Sequence, residues 1–428
     1  MKAKFTPAQK QIRELSEQIV AAQRPVRILD AVKWDESIRE AFFKDKFAQL
    51  PQVNAEYYQQ NDLGFDPDQK LQEFYNIEHQ VNRILGKYSA VSALMQQRCR
   101  EYRDVIHLLK ARGTKEFSKI SQDLYGSSDE AFYAGAPTLR DLSLTVSKAL
   151  DHIGEKTLTE KDESKYTARE AVKILGDRLE KYFGKKKNIH VKVSDNIVAD
   201  ASAGADTIKL REDLKFSKRV IQLYEVHEGW VHLGTTLNGL EQKICTFLSK
   251  GPPSTTVIQE GLAILTELFT FSSYPARARR INNRVVAINM AENGANFIDV
   301  FNFFHEKGQP EEESYYDAVR IFRGSTPDQG PFTKDLSYSK GFILIYNYIR
   351  LAIGSGNLSQ LPLLFIGKTD LINIHLLKEL NEEGLLTPPQ YIPPQFKDLS
   401  ALSAWGSYSL FLNQLNLEQL ARDYRNIL

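Results

Sequence analysis

Over roughly the first 180 residues, apolar positions recur at helical spacing. In the stretch NIEHQVNRILGKYSAVSALMQQRCREYRDVIHLLKARG, Ile77, Val81, Ile84 and Leu85 fall on one stripe. Tyr102, Val105, Ile106 and Leu109 repeat it before Gly113 offers a stop. The pattern predicts a helical scaffold over residues 1–185. Glu78, His79 and His107 are lone polar residues within those helices and read as structural. The period changes near Asn188. Ile189, Val191 and Val193 alternate with His190 and Lys192, which predicts a strand with His190 on its exposed face. Ser202 to Asp206 then forms a turn into a second short strand, Thr207 to Leu210, so a hairpin is expected. Ser217 is an N-cap for the next helix, which Asn238-Gly239 closes. After the Gly251-Pro252-Pro253 loop, Ser254-Thr255-Thr256 caps a helix carrying VIQEGLAILTELFTF. Further helices are expected over Asn283 to Phe304 and Gly341 to Ile353, and the tail is interrupted at Pro388-Pro389 and Pro393-Pro394. The class is α+β and predominantly helical, and residues 186–428 are expected to join the N-terminal region in one compact unit.

Composition narrows the function classes. The 428 residues are 42% hydrophobic and 25% charged, enough for a large core. Fifty-five basic against 54 acidic residues leave a formal charge of +1, without the basic footprint of a nucleic-acid binder. The runs Lys185 to Lys187 and Arg277/Arg279/Arg280 are short, and the first reads as a solvated turn. Cys99 and Cys245 make neither a disulfide framework nor a thiolate metal cluster and read as buried free thiols. The N-terminus lacks an apolar signal core, and no run of 18 apolar residues occurs, so a cytoplasmic location without a membrane is expected.

The candidate chemistry lies in LYEVHEGWVHLGTTLNG. His227 and His232 stand five apart, and on a regular α-helix such positions diverge by about 140°, against about 40° for a step of four. A π-bulge of roughly 4.4 residues per turn brings them back to about 50°. The two histidines therefore share a face only if the helix widens between them, and Gly229 would relax the backbone there. Two neutral imidazoles with one carboxylate suit Zn²⁺, one ion per chain, with a position left open for catalysis. Glu228, beside the first histidine, would be the general base for an attacking water. Glu260, in the following helix with Gly261 leaving room, is the best third ligand. Glu267, two turns on, is the weaker choice and suits an acceptor for a histidine N–H. The alternative is a pair of packed histidines. A di-iron helical site fits poorly, because Glu228 precedes His232 by four residues rather than three.

At QEGLA the sequence resembles the bacterial flavohemoglobin-expression-modulating QEGLA proteins, whose eukaryotic relatives are the microtubule-associated tyrosine carboxypeptidases. The likeness also runs through RPVRILDAVKW, LGFDPDQKLQEF, VSDNIVADASAGADTIKLRE, RIFRGSTPDQGPFTKDLSYSKGF and EEGLLTPPQYIPPQF, from about residue 25 onward. The resemblance implies a zincin-like catalytic core with an HExxxH motif and the glutamate of QEGLA as third ligand. His227, His232 and Glu260 would hold zinc, Glu228 would be the base, and the reaction would remove a C-terminal residue, tyrosine in the eukaryotic relatives, from a peptide or protein. Such a reaction needs a cation for the terminal carboxylate and a donor for the oxyanion. The block from Ala318 to Tyr338 looks able to supply them: Arg323 or Lys334 for the carboxylate, Tyr338 for the oxyanion, with Arg320 and the Arg277/Arg279/Arg280 cluster as alternatives. The turn Ala201 to Gly204 and its strands offer an edge for the substrate backbone. The competing class is a regulatory interaction protein that keeps the metal-binding fold without turnover.

Overall fold

A computed structural model describes residues 5–153, 163–185, 187, 189–194, 197, 199–204 and 206–424. Asn188, Ala205 and Lys186 of the lysine run lie outside them. The described chain is mostly helical, with two small sheets ahead of the helix that carries His227 and His232. The helices Pro67–Leu85 and Ala90–Lys110 form where the stripes predict them. Pro7–Gln23 opens with a capping box at Thr6, Pro67–Leu85 is capped by Asp66, and Ala90–Lys110 is capped by Ser89. Tyr102, Val105, Ile106 and Leu109 are buried, as are Ile77 and Val81, while Ile84 is exposed. Glu78 pairs with Arg100 and Arg103. Both cysteines are buried and free.

The alternating segments predict a hairpin, and the strands do not form one. His190–Ser194 and Thr207–Arg211 run parallel, and the chain between them supplies a third strand, Ala201–Ala203, antiparallel to Thr207–Arg211 at the sheet edge. Apolar alternation marks strands but says nothing of partner or direction, so the extra strand inside the supposed turn leaves no signal. His190 is exposed, as the alternation predicts.

Three other local expectations change. The Pro253–Phe269 helix takes no cap from its own Ser-Thr-Thr cluster. Instead the Glu101 carboxylate of a neighbouring helix accepts from Ser254 N at 2.6 Å and Ser254 Oγ at 2.8 Å, filling the place of a capping residue. Gly239 lies inside the Gly234–Leu240 helix rather than closing it, and a Cβ there would overlap the Leu248 backbone. Asn283 to Phe304 is two helices, Pro275–Glu292 and Phe297–Glu306, broken at Gly294, whose φ is +95°.

Pro253–Phe269 is the central element, buried on nearly every side from Val257 to Glu267. It packs most extensively on the Leu336–Gly354 helix. The two approach closely because Gly261 faces Gly341, and a Cβ on either would overlap the other's backbone. The room that Gly261 leaves is therefore taken by this crossing. One core joins Ile12, Phe74 and Met95 of the N-terminal helices to Leu262, Ile345 and Leu364. An aromatic core around Phe42, Phe297, Phe301 and Phe322 lies on another side. A third, with Leu179, Ile208, Leu210 and Leu233, seats the small sheet against the histidine-bearing helix.

Candidate metal centre and its cleft

The helix begins with Ser217, whose hydroxyl accepts from Val220 N. It is α-helical over Lys218–Tyr224, widens to a π-helix over Glu225–Leu233, and returns to α over Gly234–Leu240. The sequence asks for one bulge between the histidines, and the chain widens for nine residues. Gly229 does not sit at positive φ. Its lack of a side chain instead admits Leu179 of the Ala168–Phe183 helix, which a Cβ would meet.

The widening puts both imidazoles on one face, with ring centroids 4.7 Å apart. Glu260, on the central helix, brings Oε2 to 3.3 Å from His227 Nε2 and 3.5 Å from His232 Nε2. One ligand atom from each residue lies within 4.8 Å of the others. Glu260 Oε2 is buried and has no hydrogen-bond partner. An orphaned carboxylate oxygen facing two imidazole nitrogens is the donor set and spacing that a tetrahedrally coordinated Zn²⁺ uses, so the residues fit the ion.

Glu267 takes the supporting place expected of it. Its Oε1 lies 2.7 Å from His227 Nδ1 and accepts from Arg277 Nη2 at 3.2 Å. The carboxylate holds the proton on Nδ1 and leaves Nε2 free for a metal. Burial opposes charge on both partners of this cluster and is outweighed. His227 is held up to about 10 by Glu260 and Glu267 against burial. Glu260 is held well below the usual carboxylate range by His232, His227 and Lys334, again against burial. A metal held there would have to displace the proton so favoured on His227, so its uptake would rise with pH.

The centre opens into a cleft of about 400 Å³ that Glu228, Arg320, Arg323, Lys334 and Tyr338 also line. Glu228 Oε1 is 3.9 Å from His227 Nε2. Arg320 is bound up in structure, donating to both oxygens of Asp335 at 2.6 and 2.9 Å. Arg280 and Arg284 hold Asp317, Arg277 holds Glu267, and Arg279 donates to Leu150 O at 3.1 Å. Arg323 differs. It is 5% exposed, and no carboxylate lies within ion-pair distance among the described residues; its Nε, like those of Arg277 and Arg279, has no hydrogen-bond partner. Burial, with Arg320 nearby, lowers it to about 10. Lys334 Nζ is 4.0 Å from Glu260 Oε1, and burial lowers it too. Burial pushes the Tyr338 hydroxyl up, aided by Glu260, so it stays protonated.

The edge strand Ala201–Ala203 forms part of the same cleft. Arg211 N donates to Asp200 O and Gly204 N to Thr207 O, so residues 200, 202 and 204 turn their backbone groups to the neighbouring strand. Ala201 and Ala203 consequently point theirs away from the sheet.

Lys368 escapes the sequence reading. It lies in the loop after Phe365 with no motif to mark it, yet its Nζ bonds to His232 O, Thr235 Oγ1 and Gln259 Oε1 at 3.0, 2.9 and 2.8 Å. Burial lowers its amine to about 7.

Among the described residues no helix is long and apolar enough to cross a membrane. A search of characterised proteins finds no match to the chain. The family model for microtubule-associated tyrosine carboxypeptidase matches residues 40–414, a span that contains the His227/His232/Glu260 group; the chain belongs to that carboxypeptidase family.

Proposed function

We propose that the chain is a zinc metallocarboxypeptidase that removes the C-terminal residue, tyrosine by its family's description, from a peptide or protein in the cytoplasm. The observation that carries this reading is a buried cation, Arg323, without a carboxylate partner among the described residues, in the same cleft as the His227/His232/Glu260 group. An endopeptidase has no terminal carboxylate to bind, and burying an unpaired guanidinium is costly unless a ligand pairs with it.

When bound, zinc supplies Lewis-acid polarisation of the scissile carbonyl and of the attacking water. The rest falls to this chain's residues. Arg323 pairs with the terminal carboxylate, and Lys334 adds a second positive charge. Ala201 and Ala203 take the substrate main chain as an added strand. Glu228 accepts the proton of the attacking water and passes it to the leaving amine. The protonated Tyr338 hydroxyl donates to the carbonyl oxygen as it gains charge.

Mass spectrometry of peptides with varied C-terminal residues, incubated with zinc-loaded protein, should show loss of one residue. Glu228→Gln should keep the metal and lose about 10²–10⁴-fold in rate. Equal trimming by both proteins would sink the mechanism. No trimming by either, with a protein partner retained, would favour an interaction protein on the same fold.

A further inference from the structure

The three candidate metal ligands come from two helices, and nothing covalent fixes one against the other. His232 also sits near the end of a π-helix, where the hydrogen-bond ladder changes step and is a poor guide for a side chain. We infer that Lys368 is a positioning residue for this centre, a buried clamp that fixes the His232 turn against the helix bearing Glu260. The inference rests on the metal reading above and goes beyond it, because Lys368 belongs neither to the ligand set nor to the cleft lining.

Four observations carry it. The His232 carbonyl collects two side-chain donors, Thr236 Oγ1 at 2.8 Å and Lys368 Nζ at 3.0 Å. Gln259, whose side chain accepts from Lys368 at 2.8 Å, is the residue before Glu260. Thr235 Oγ1 closes the ring by donating to the same Gln259 oxygen at 2.6 Å. Both ends of the clamp thus act on the backbone or immediate neighbour of a ligand.

The fourth observation is that the clamp itself is anchored. Lys368 N donates to Leu248 O at 2.8 Å. Arg98, buried, donates to Lys368 O and, at 2.8 Å, to Lys250 O. Gly367 lies so close to Leu248 that a Cβ would overlap its backbone. A lysine on a loose loop would merely follow the helices, whereas one fixed from behind can hold them. Tetrahedral coordination tolerates errors of a few tenths of an ångström, and groups that orient the ligands are worth about 10- to 100-fold in metal affinity.

Lys368→Met keeps the aliphatic stem and removes the donors. The full chain is stripped of metal, and zinc affinity is measured by competition with a chromophoric chelator, together with apo-protein melting and the visible spectrum after Co²⁺ loading. The expected result is a 10- to 100-fold weaker zinc affinity and an altered Co²⁺ band at temperatures where the apo-variant is folded. A lower melting temperature with unchanged affinity and spectrum makes Lys368 a purely structural residue and overturns the inference. Should the variant not fold, Gln259→Met, which leaves Lys368 on the His232 carbonyl, is measured by the same two signals: weaker affinity with an altered band supports the clamp, and no change in either overturns it. A wild-type chain that takes up no zinc refutes the metal reading itself, an outcome distinct from a zinc-binding wild type with an unaffected variant.

Discussion

At the scale of single residues, the decisive distinction is between arginines that look alike in sequence. Arg320 and Arg323 lie three apart, and either could serve a terminal carboxylate. Asp335, fifteen residues on, claims Arg320, and Arg323 has no carboxylate within ion-pair distance among the described residues, as the proposed role requires. Arg323→Met should therefore raise KM for peptides with a free C-terminus by about 10- to 100-fold, the worth of a charge-assisted hydrogen bond. Peptides with an amidated C-terminus should be poor substrates for both proteins. Steady-state kinetics on matched acid and amide peptides checks this, and an unchanged preference for the acid in the variant would transfer the role to Lys334. The metal set, by contrast, is legible in the sequence. His227, His232 and Glu260 stand in local motifs, and the rarity of histidine makes the pair conspicuous.

At the scale of elements, spacing along the chain is a sound guide to what each segment must be and a poor one to what it meets. Two histidines five apart demand a wider turn, because no other helical geometry puts them on one face, and a nine-residue π-helix supplies it. Period-two alternation finds strands, but it misses the Ala201–Ala203 edge and the parallel pairing. The Ser-Thr-Thr cluster at the start of Pro253–Phe269 has the composition of a cap, yet a carboxylate 153 residues away fills that place. The Gly261–Gly341 crossing is likewise a meeting of distant segments. Gly341→Ala should cost about 1–3 kcal/mol, as overpacking does. Because Glu260 adjoins the contact, zinc affinity should fall with it. Thermal melting and zinc competition on one preparation test both parts, and a variant that melts lower with unaltered affinity would separate the crossing from the site.

At the scale of the whole molecule, a buried ion network lies beneath the cleft. Asp317 accepts from Arg280 and Arg284, and Asp335 accepts from Arg320 with Arg284 3.6 Å away. Burial would raise the Asp317 pKa, and Arg284 and Arg280 override it, holding it to about 2 against an ordinary 3.8. A carboxyl depressed in the folded state contributes stability that is fully present above its unfolded pKa and is lost as pH falls toward the folded one. The window is therefore about pH 4 down to 2, and the contribution is on the order of 2 kcal/mol. Asp317→Asn should lower stability at pH 7 by about 3–5 kcal/mol, since it removes the main charged partner of the buried Arg284 and leaves Arg280 only Asp200. Denaturant unfolding from pH 7 to 2 should show a shallower acid loss in the variant than in the wild type, and parallel curves would refute the assignment. What the sequence alone determined was chemistry confined to one or two turns of chain: the ligand types, the widened helix, the cap at Ser217, and the family resemblance. Tertiary structure decided which of the cleft arginines lacks a carboxylate among the described residues, which strands meet, and how Lys368 reaches His232. Those outcomes depend on contacts between residues tens to hundreds of positions apart, and no local period or propensity encodes them.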